Sequence, residues 1–275
     1  MALRVTTLIE DSLDDQNSLE YEHGLSFFIE KDGRSLLFDT GQSGAFVKNA
    51  SILGKKLEKL DAVALSHGHY DHTGGLLALA DITQEFDLYL EKSIFRHKYA
   101  YKNGNYEFKG NAFNEEDLRN LGISYRFVEE DRTELLPGVW LLTNFPRVHA
   151  DEQVNPRFVV EEHGEYRQDS FDDEVCLAID SPQGLVVLLG CSHPGVRNML
   201  DHVQRQLNRP IYAVLGGTHL VEADEKRTAD TVGYLLHQVS GPIGISHCSG
   251  QAAMEQLKAA TSRYFHNKTG SVIEF

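Results

Sequence analysis

The run His67-Gly68-His69-Tyr70-Asp71-His72 constrains what this chain can fold into more than any other stretch. It places three imidazoles and a carboxylate within six residues, and these groups are ligands for zinc, iron or manganese. Positions two apart in an extended segment project to the same side, so His67 and His69 can share one ion. Asp71 and His72 lie further round the turn and can face a second ion beside the first.

The position of this run supports a metal site over a histidine-rich surface loop. It follows directly on the apolar segment Leu60–Leu65, which is typical of a buried strand. Open α/β sheets place their ligands beyond the carboxyl ends of such strands. His193, His219 and His247 each follow another predicted strand and lie near a glycine. A single histidine after a strand is usually an ordinary polar residue, but three in equivalent positions predict further metal ligands.

The rest of the chain alternates short apolar runs with helical patterns, and its 275 residues fit one large domain over 1–275. The predicted strands are Leu3–Ile9, Leu25–Glu30, Ser35–Phe38, Leu60–Leu65, Val175–Ile179, Leu185–Leu189, Ile211–Leu215, Ile243–Ser246 and Ser271–Phe275. The predicted helices are Gly74–Ala80, Glu115–Asn120, Val196–Gln206, Thr228–Val239 and Gln251–Ala260. Both halves open with strands and continue as strand–helix units, which predicts an α/β fold of two packed sheets with helices outside.

Residues 91–122 are different, because they are rich in Tyr, Phe, Asn, Lys and Gly and show no regular strand alternation. We predict an excursion from the core, either a cover over the active site or a surface insertion that packs on itself. A second irregular stretch runs from about residue 145 to residue 173. Among the basic residues in these stretches, Arg96 and Arg147 are the first candidates for binding a substrate anion. Lys98, Lys102 and Arg157 are further candidates, and ordinary surface charge is the alternative for each.

Composition excludes several classes of partner. The net charge is −15, from 41 acidic and 26 basic residues, and such a surface repels nucleic acid. No apolar run reaches the roughly 18 residues of a membrane span, and the first residues lack the features of a secretory signal. The three cysteines form no disulfide framework or CxxC pair, which favours a reducing compartment. We therefore expect a cytoplasmic protein with a small-molecule substrate, and the sequence leaves the oligomeric state open.

Two motifs carry a family resemblance. The segment Ser66-His67-Gly68-His69-Tyr70-Asp71-His72-Thr73-Gly74-Gly75 resembles the HxHxDH motif of the metallo-β-lactamase superfamily. The turn Phe38-Asp39-Thr40-Gly41 is similar to the aspartate-bearing turn that precedes the metal loop in that superfamily. The resemblance implies a four-layer αβ/βα sandwich, with two mixed sheets, helices outside and metals at one edge.

Further motifs resemble one branch of the superfamily, the dihydropteroate-synthase-like proteins related to an archaeal pterin synthase. These motifs are Glu22-His23-Gly24-Leu25-Ser26, Gly190-Cys191-Ser192-His193, Gly216-Gly217-Thr218-His219-Leu220 and His247-Cys248-Ser249-Gly250.

The resemblance implies a first metal site of His67, His69 and His193, and a second of Asp71, His72 and His247. The superfamily's hydrolases add a bridging Asp, but the segment Ile211–Leu220 contains none and His219 is the nearest substitute. We therefore predict one or two divalent ions, with zinc the first choice and iron or manganese the alternatives.

The activity that these features predict is hydrolysis of a small anionic or heterocyclic metabolite by metal-activated water. Asp71 would double as the catalytic proton acceptor, and Asp39 would orient a ligand histidine unless it only satisfies its own turn. His23 and Cys248 are predicted to line the pocket. The alternative for Cys248, and for Cys191, is a small buried side chain that only fills space in the core. A metal-dependent transferase, joining a pterin-like ring to a phosphorylated sugar or aminobenzene compound, is the alternative activity. A non-catalytic metal-binding protein is a second alternative.

Overall fold

The computed structural model describes residues 3–14 and 16–275, which form 17 strands in three sheets and seven α-helices. The strands are β1 (Leu3–Ile9), β2 (Ser26–Lys31), β3 (Arg34–Phe38), β4 (Ala62–Ala64), β5 (Asp87–Leu90), β6 (His97–Lys102), β7 (Asn105–Phe108), β8 (Ser124–Phe127), β9 (Arg132–Leu136), β10 (Val139–Leu142), β11 (Phe158–Glu162), β12 (Glu165–Gln168), β13 (Cys176–Ser181), β14 (Gly184–Leu189), β15 (Ile211–Gly216), β16 (Ile243–Ile245) and β17 (Val272–Glu274). The α-helices are α1 (Ala45–Ile52), α2 (Tyr70–Thr73), α3 (Leu76–Ala80), α4 (Glu115–Asn120), α5 (Val196–Leu207), α6 (Glu225–Gln238) and α7 (Gln251–Ala260). Short 3-10 turns are found at Leu57–Lys59, Lys92–Phe95, Leu220–Glu222 and His247–Ser249.

Two large mixed sheets form the centre of the fold. The first has the strand order β17-β1-β2-β3-β4-β5-β8, and its strands are parallel from β3 to β8. The second has the order β16-β15-β14-β13-β10-β9, with β14, β15 and β16 parallel. The predicted α/β architecture with helices outside two sheets is thus confirmed.

Strand β14 shows how the layers are held together. Alternate residues of a strand project to opposite faces of the sheet. Val186 and Leu188 therefore pack between the two sheets, against side chains such as Phe27 and Phe38. Leu185 and Val187 face the other way and pack under α5, α6 and α7. Because β14 is buried on both faces, it reads in the sequence as a continuous apolar run.

The irregular stretches of the sequence contain a third, four-stranded sheet of order β12-β11-β6-β7, which corrects the prediction that they lack regular strands. The turn Asn103-Gly104 joins β6 to β7, and His163-Gly164 joins β11 to β12. All four turn residues have positive φ, between 51° and 85°. Two-residue turns of this kind match the twist of a hairpin, and Asn-Gly is a strong sequence signal for one.

Two further differences between the predicted and the observed elements have local causes. Helix α6 begins at Glu225, before the predicted start at Thr228, because the side chain of Asp224 caps it by accepting from Arg227 N. Strands β5, β8, β9 and β10 were not predicted, and β5, β8 and β9 contain partly buried or exposed residues.

Within the described residues, none of the helices combines the length and apolarity that crossing a membrane requires.

The carboxyl ends of β1, β3, β4, β14, β15 and β16 meet at one edge of the sandwich, because these strands run in matching directions within their sheets. Each of these ends is followed by a side chain that contributes to the site described next.

Candidate metal centre

The loop between β4 and α2 carries the central histidines, and it is fixed by close backbone contacts. Asp173 Oδ2 accepts the backbone N–H of Gly68 at 2.7 Å. A side chain at Gly68 would place its Cβ 2.5 Å from the carbonyl oxygen of Ile94, so only glycine fits there. His69 then serves as the N-cap residue of α2. The loop is therefore held from both sides, with His67 and His69 projecting into the edge of the sandwich.

His67, His69 and His193 form a first group, which we call the first trio. One ring nitrogen from each lies within 4.8 Å of the others, and His67 Nε2 is 3.0 Å from His69 Nδ1. Two nitrogens bound to one tetrahedral zinc ion are separated by about 3.3 Å, so this spacing suits a shared ion. All three side chains are buried, and burial lowers their pKa well below the usual value for histidine. They are therefore neutral, which is the form that binds a metal.

Asp71, His72 and His247 form a second group, the second trio, whose ligand atoms also lie within 4.8 Å of one another. Asp71 Oδ2 is 3.4 Å from His247 Nε2 and 3.8 Å from His72 Nε2. Burial alone would raise the pKa of Asp71, but the attraction of His72 and His247 outweighs it and keeps the carboxyl ionised. Burial alone would lower the pKa of His247, but the carboxylates of Asp11 and Asp71 outweigh it and raise the pKa well above its usual value.

These residues fit divalent ions. Among the described residues, the buried Nε2 atoms of His69, His193 and His247 have no hydrogen-bond partner. Buried polar atoms are normally paired, so unpaired nitrogens on three buried histidines of the two trios are unusual. The mixture of imidazole and carboxylate suits zinc and related ions.

Asp39 and Ser66 orient two of the candidate ligands, His67 and His72, through their Nδ1 atoms. Asp39 Oδ2 accepts from His72 Nδ1 at 2.7 Å and from the hydroxyl of Ser66 at 2.7 Å, and Oδ1 accepts the Ser66 backbone N–H at 2.7 Å. Ser66 Oγ lies 2.9 Å from His67 Nδ1. The Nδ1 atoms of both histidines are thus engaged, which leaves their Nε2 atoms for an ion. Asp39 stands where the sequence predicted an orienting aspartate, in a left-handed conformation with φ 60°.

Glu10 and Asp11 have a similar role that the sequence analysis missed. Asp11 accepts from His247 Nδ1 at 2.7 Å and from His23 Nδ1 at 2.8 Å. Glu10 Oε1 accepts the backbone N–H of His247 at 2.6 Å. Both carboxylates directly follow β1, so their position at a strand end was the available signal. His23, a predicted pocket residue, points its Nε2 to within 3.3 Å of Asp71 Oδ2.

His219 lies beside His193, with ring centroids 4.3 Å apart, but its ligand atom groups with Cys191 and Cys248 and not with either trio. Burial alone would lower the pKa of His219, but the nearby Cys248 and Glu222 outweigh it and raise the pKa to about 9. Phe171, which the sequence analysis did not single out, stacks on His193 at 3.7 Å with an interplanar angle of 13°.

A cavity of about 280 Å³ opens onto both trios. Lys102, Lys109 and Arg157 supply its positive charge, and Tyr70 and Phe158 supply aromatic surface. The hairpin β6–β7 forms one wall, because Tyr70 N donates to Lys109 O at 2.9 Å. The predicted pocket residue Cys248 also lines this cavity.

The two arginines predicted to bind substrate lie elsewhere. Arg96 is placed 3.5 Å from both Glu162 and Asp172, and Arg147 donates to the carbonyl of Ser170. Lys98 is buried and bound to Asp169 and Asp173 at 2.6 and 2.9 Å. Because Asp173 accepts the backbone N–H of Gly68, Lys98 stabilises the loop between β4 and α2 through Asp173. Among the cations that line the cavity, Lys102 and Arg157 were predicted as further candidates, and Lys109 was not predicted.

An αβ/βα sandwich with a histidine–aspartate cluster at one edge defines a class of metalloproteins, and comparison with known proteins agrees. A family model for the metallo-beta-lactamase superfamily matches residues 20–165. The chain belongs to this superfamily. It is 29% identical over 289 aligned positions to the 7,8-dihydropterin-6-methyl-4-(beta-D-ribofuranosyl)-aminobenzene-5'-phosphate synthase of Methanocaldococcus jannaschii, with 99% of this chain and 97% of that protein covered.

A solved metal-dependent hydrolase of the beta-lactamase superfamily superposes on it with a TM-score of 0.87 and 30% identity, covering 99% of both chains. A diphosphatase of the PhnP family shares the fold at a TM-score of 0.55 and 15% identity, with 100% of this chain and 98% of that chain covered. The relatives include a synthase and a hydrolase, and the chain is an enzyme of their superfamily.

Proposed function

We propose that this chain is a divalent-metal-dependent hydrolase that acts on a small anionic or heterocyclic metabolite, with zinc as its ion. The observation that carries the proposal is the pair of trios, whose buried imidazole and carboxylate groups lie beside a cavity with lysine and arginine on its walls. In this assignment His67, His69 and His193 hold one ion, and Asp71, His72 and His247 hold the other. When bound, such ions polarise carbonyl or phosphoryl oxygens and activate water for attack.

The chain's own residues would perform the remaining tasks. Lys102, Lys109 and Arg157 would bind the anionic part of the substrate, because they line the cavity beside the trios. Phe158 and Tyr70 offer faces on which a ring can stack. These contacts would hold the reacting bond next to the second trio.

A proton route also leads from the second trio toward solvent. Asp71 stays ionised and can accept a proton, and His23 Nε2 lies 3.3 Å from it. The pKa of His23 is raised by its hydrogen bond with Asp11, and the side chain is half-exposed. His23 is therefore suited to carry a proton between Asp71 and the surrounding water.

A second candidate function is supported by the synthase of Methanocaldococcus jannaschii, because the similarity covers nearly the whole of both chains. In this alternative the same ions and cations would hold a phosphorylated sugar, while a pterin-like ring would stack on the cavity's aromatic side chains. The two functions differ in what attacks the substrate, which is water in one and a second organic molecule in the other.

One experiment separates the two functions. The zinc-loaded protein is supplied with esters, lactones and phosphodiesters, and separately with pterins and phosphorylated sugar compounds, and products are identified by mass spectrometry. Hydrolysis products alone support the hydrolase, and a joined product supports the transferase. His67→Ala and His193→Ala should abolish either activity, while His237→Ala, an exposed histidine of α6, is the matched control. If the two site variants keep full activity and metal content, the metal-centre assignment is wrong.

A further inference from the structure

Cys191 and Cys248 lie inside the candidate metal centre, although neither is part of the two trios. Cys191 follows β14 and lies two residues before His193, and Cys248 follows His247 directly. Both thiols are buried. The third cysteine, Cys176, is buried in the core between the second sheet and helices α5, α6 and α7, and it belongs to neither trio. Two cysteines therefore lie at the site, and Cys176 can serve as the control for substitutions of them.

Cys191 stands at the boundary between the trios. Its Sγ lies 3.3 Å from His72 Nε2, which is the nitrogen that Asp39 leaves available. Sulfur and nitrogen bound to one tetrahedral zinc ion are separated by about 3.6 Å, given zinc–sulfur and zinc–nitrogen bonds of about 2.3 and 2.0–2.1 Å. Cys191 Sγ also lies within 4.8 Å of the ligand atoms of both His67 and His72, so it is close to one member of each trio.

Cys248 and His219 extend this arrangement toward the cavity. The ligand atoms of Cys191, His219 and Cys248 all lie within 4.8 Å of one another. The ring nitrogens of His219 make no hydrogen bond among the described residues, and Nε2 lies 3.5 Å from Glu222 Oε2. A thiol pair with a converging imidazole is a ligand set that favours zinc over magnesium or calcium.

The backbone makes room for this sulfur pair. A Cβ at Gly217 would lie 2.6 Å from Cys248 Sγ and 2.4 Å from the carbonyl oxygen of Gly190. Glycine at this position therefore allows the loop after β16 to bring Cys248 against the end of β14.

We propose that Cys191 and Cys248 are sulfur ligands of the metal centre, with Cys191 between the two trios and Cys248 beside His219. Each thiol releases its proton to solvent when the ion binds, as ligation by sulfur requires. The inference rests on the proposed metal centre, and it makes that centre selective for thiophilic ions.

The test is spectroscopic and uses the full chain. Metal-free protein is titrated with Co²⁺, which occupies zinc sites and gives an intense near-ultraviolet charge-transfer band only when sulfur is bound. We expect this band in the unchanged protein. It should fall by roughly half per bound cobalt in Cys191→Ser and in Cys248→Ser, and vanish in the double variant, since each thiolate contributes its own transition. Cys176→Ser should keep the full band, and circular dichroism checks that every variant is folded.

The outcomes separate this inference from the proposed function. Cobalt bound without the band overturns sulfur ligation and leaves the two trios intact. A band that persists in the double variant also overturns it, and no bound cobalt at all overturns the metal centre as well. A measurement without variants is zinc X-ray absorption on the unchanged protein. A zinc–sulfur distance of about 2.3 Å supports the inference, and a shell of nitrogen and oxygen alone at about 2.0–2.1 Å refutes it.

Discussion

Replacement of Asp39 by Asn tests how the ligand histidines are oriented. Asp39 is fully buried and accepts three hydrogen bonds of 2.7 Å, two from Ser66 and one from His72 Nδ1. Asparagine has the same shape and also adopts the left-handed conformation that Asp39 has at φ 60°, so the backbone should be unaffected. The substitution therefore changes charge and hydrogen bonding while leaving the fold in place.

The size of the effect follows from the number of acceptors. Asparagine has one acceptor oxygen, so its NH₂ group must face either the Ser66 hydroxyl or His72 Nδ1. If it faces His72, the ring is driven to the tautomer that carries its proton on Nε2, the atom needed for the ion. Loss of such an orienting partner costs about 10–100-fold in metal affinity, or about 1.4–2.8 kcal/mol. The second trio should lose most, because Asp39 reaches His67 only through Ser66.

The assay is competition between the protein and a chromophoric zinc chelator, which resolves the two binding steps. We expect Asp39→Asn to weaken one step by about 10–100-fold and the other by less. Asp61→Asn is the matched control, because Asp61 also accepts a backbone N–H, that of Ser35, but at the opposite end of β3. Unchanged affinity in both steps, or an equal loss in both, would refute the reasoning.

Three further predictions address other parts of the site. Asp11→Asn should weaken the step assigned to the second trio by about 10–100-fold, because Asp11 holds His247 Nδ1 at 2.7 Å; equal affinity in the chelator assay would contradict this. Removal of zinc should lower thermal stability, because an ion at 100 times its Kd stabilises the folded state by about 2.7 kcal/mol; identical unfolding curves with and without zinc would count against a resident ion. Lys102→Gln and Lys109→Gln should raise KM for anionic substrates more than they lower kcat, as both line the cavity; an effect confined to kcat would exclude a binding role.

The sequence was sufficient to predict the fold and much of the candidate site, for identifiable reasons. Buried strands such as β14 are continuous apolar runs, and their ends are marked by histidine and glycine. The structure brings the predicted ligands together at one edge. His219 is the exception, since it groups with the cysteines and not with the trios.

What escaped prediction depends on contacts between distant segments. Asp11 and Glu10 acquire their role only when β1 is placed next to the loop after β16. The third sheet was missed because β7 and β12 are short and exposed along their whole length, so they lack the apolar run that marks a buried strand. The cavity's cations could not be told from surface lysines by sequence, because composition does not say which side of a hairpin faces the histidines.

Both trios take ligands from the two halves of the sandwich. His67 and His69 follow a strand of the first sheet and His193 a strand of the second, and His72 and His247 are divided in the same way. An ion bound here therefore cross-links segments that are far apart in sequence, as a disulfide would, and closes a long loop of chain. No fragment containing one sheet alone can hold the ion with its full set of ligands. During synthesis, binding of an ion would accordingly have to wait until β14 has been made for the first trio and β16 for the second.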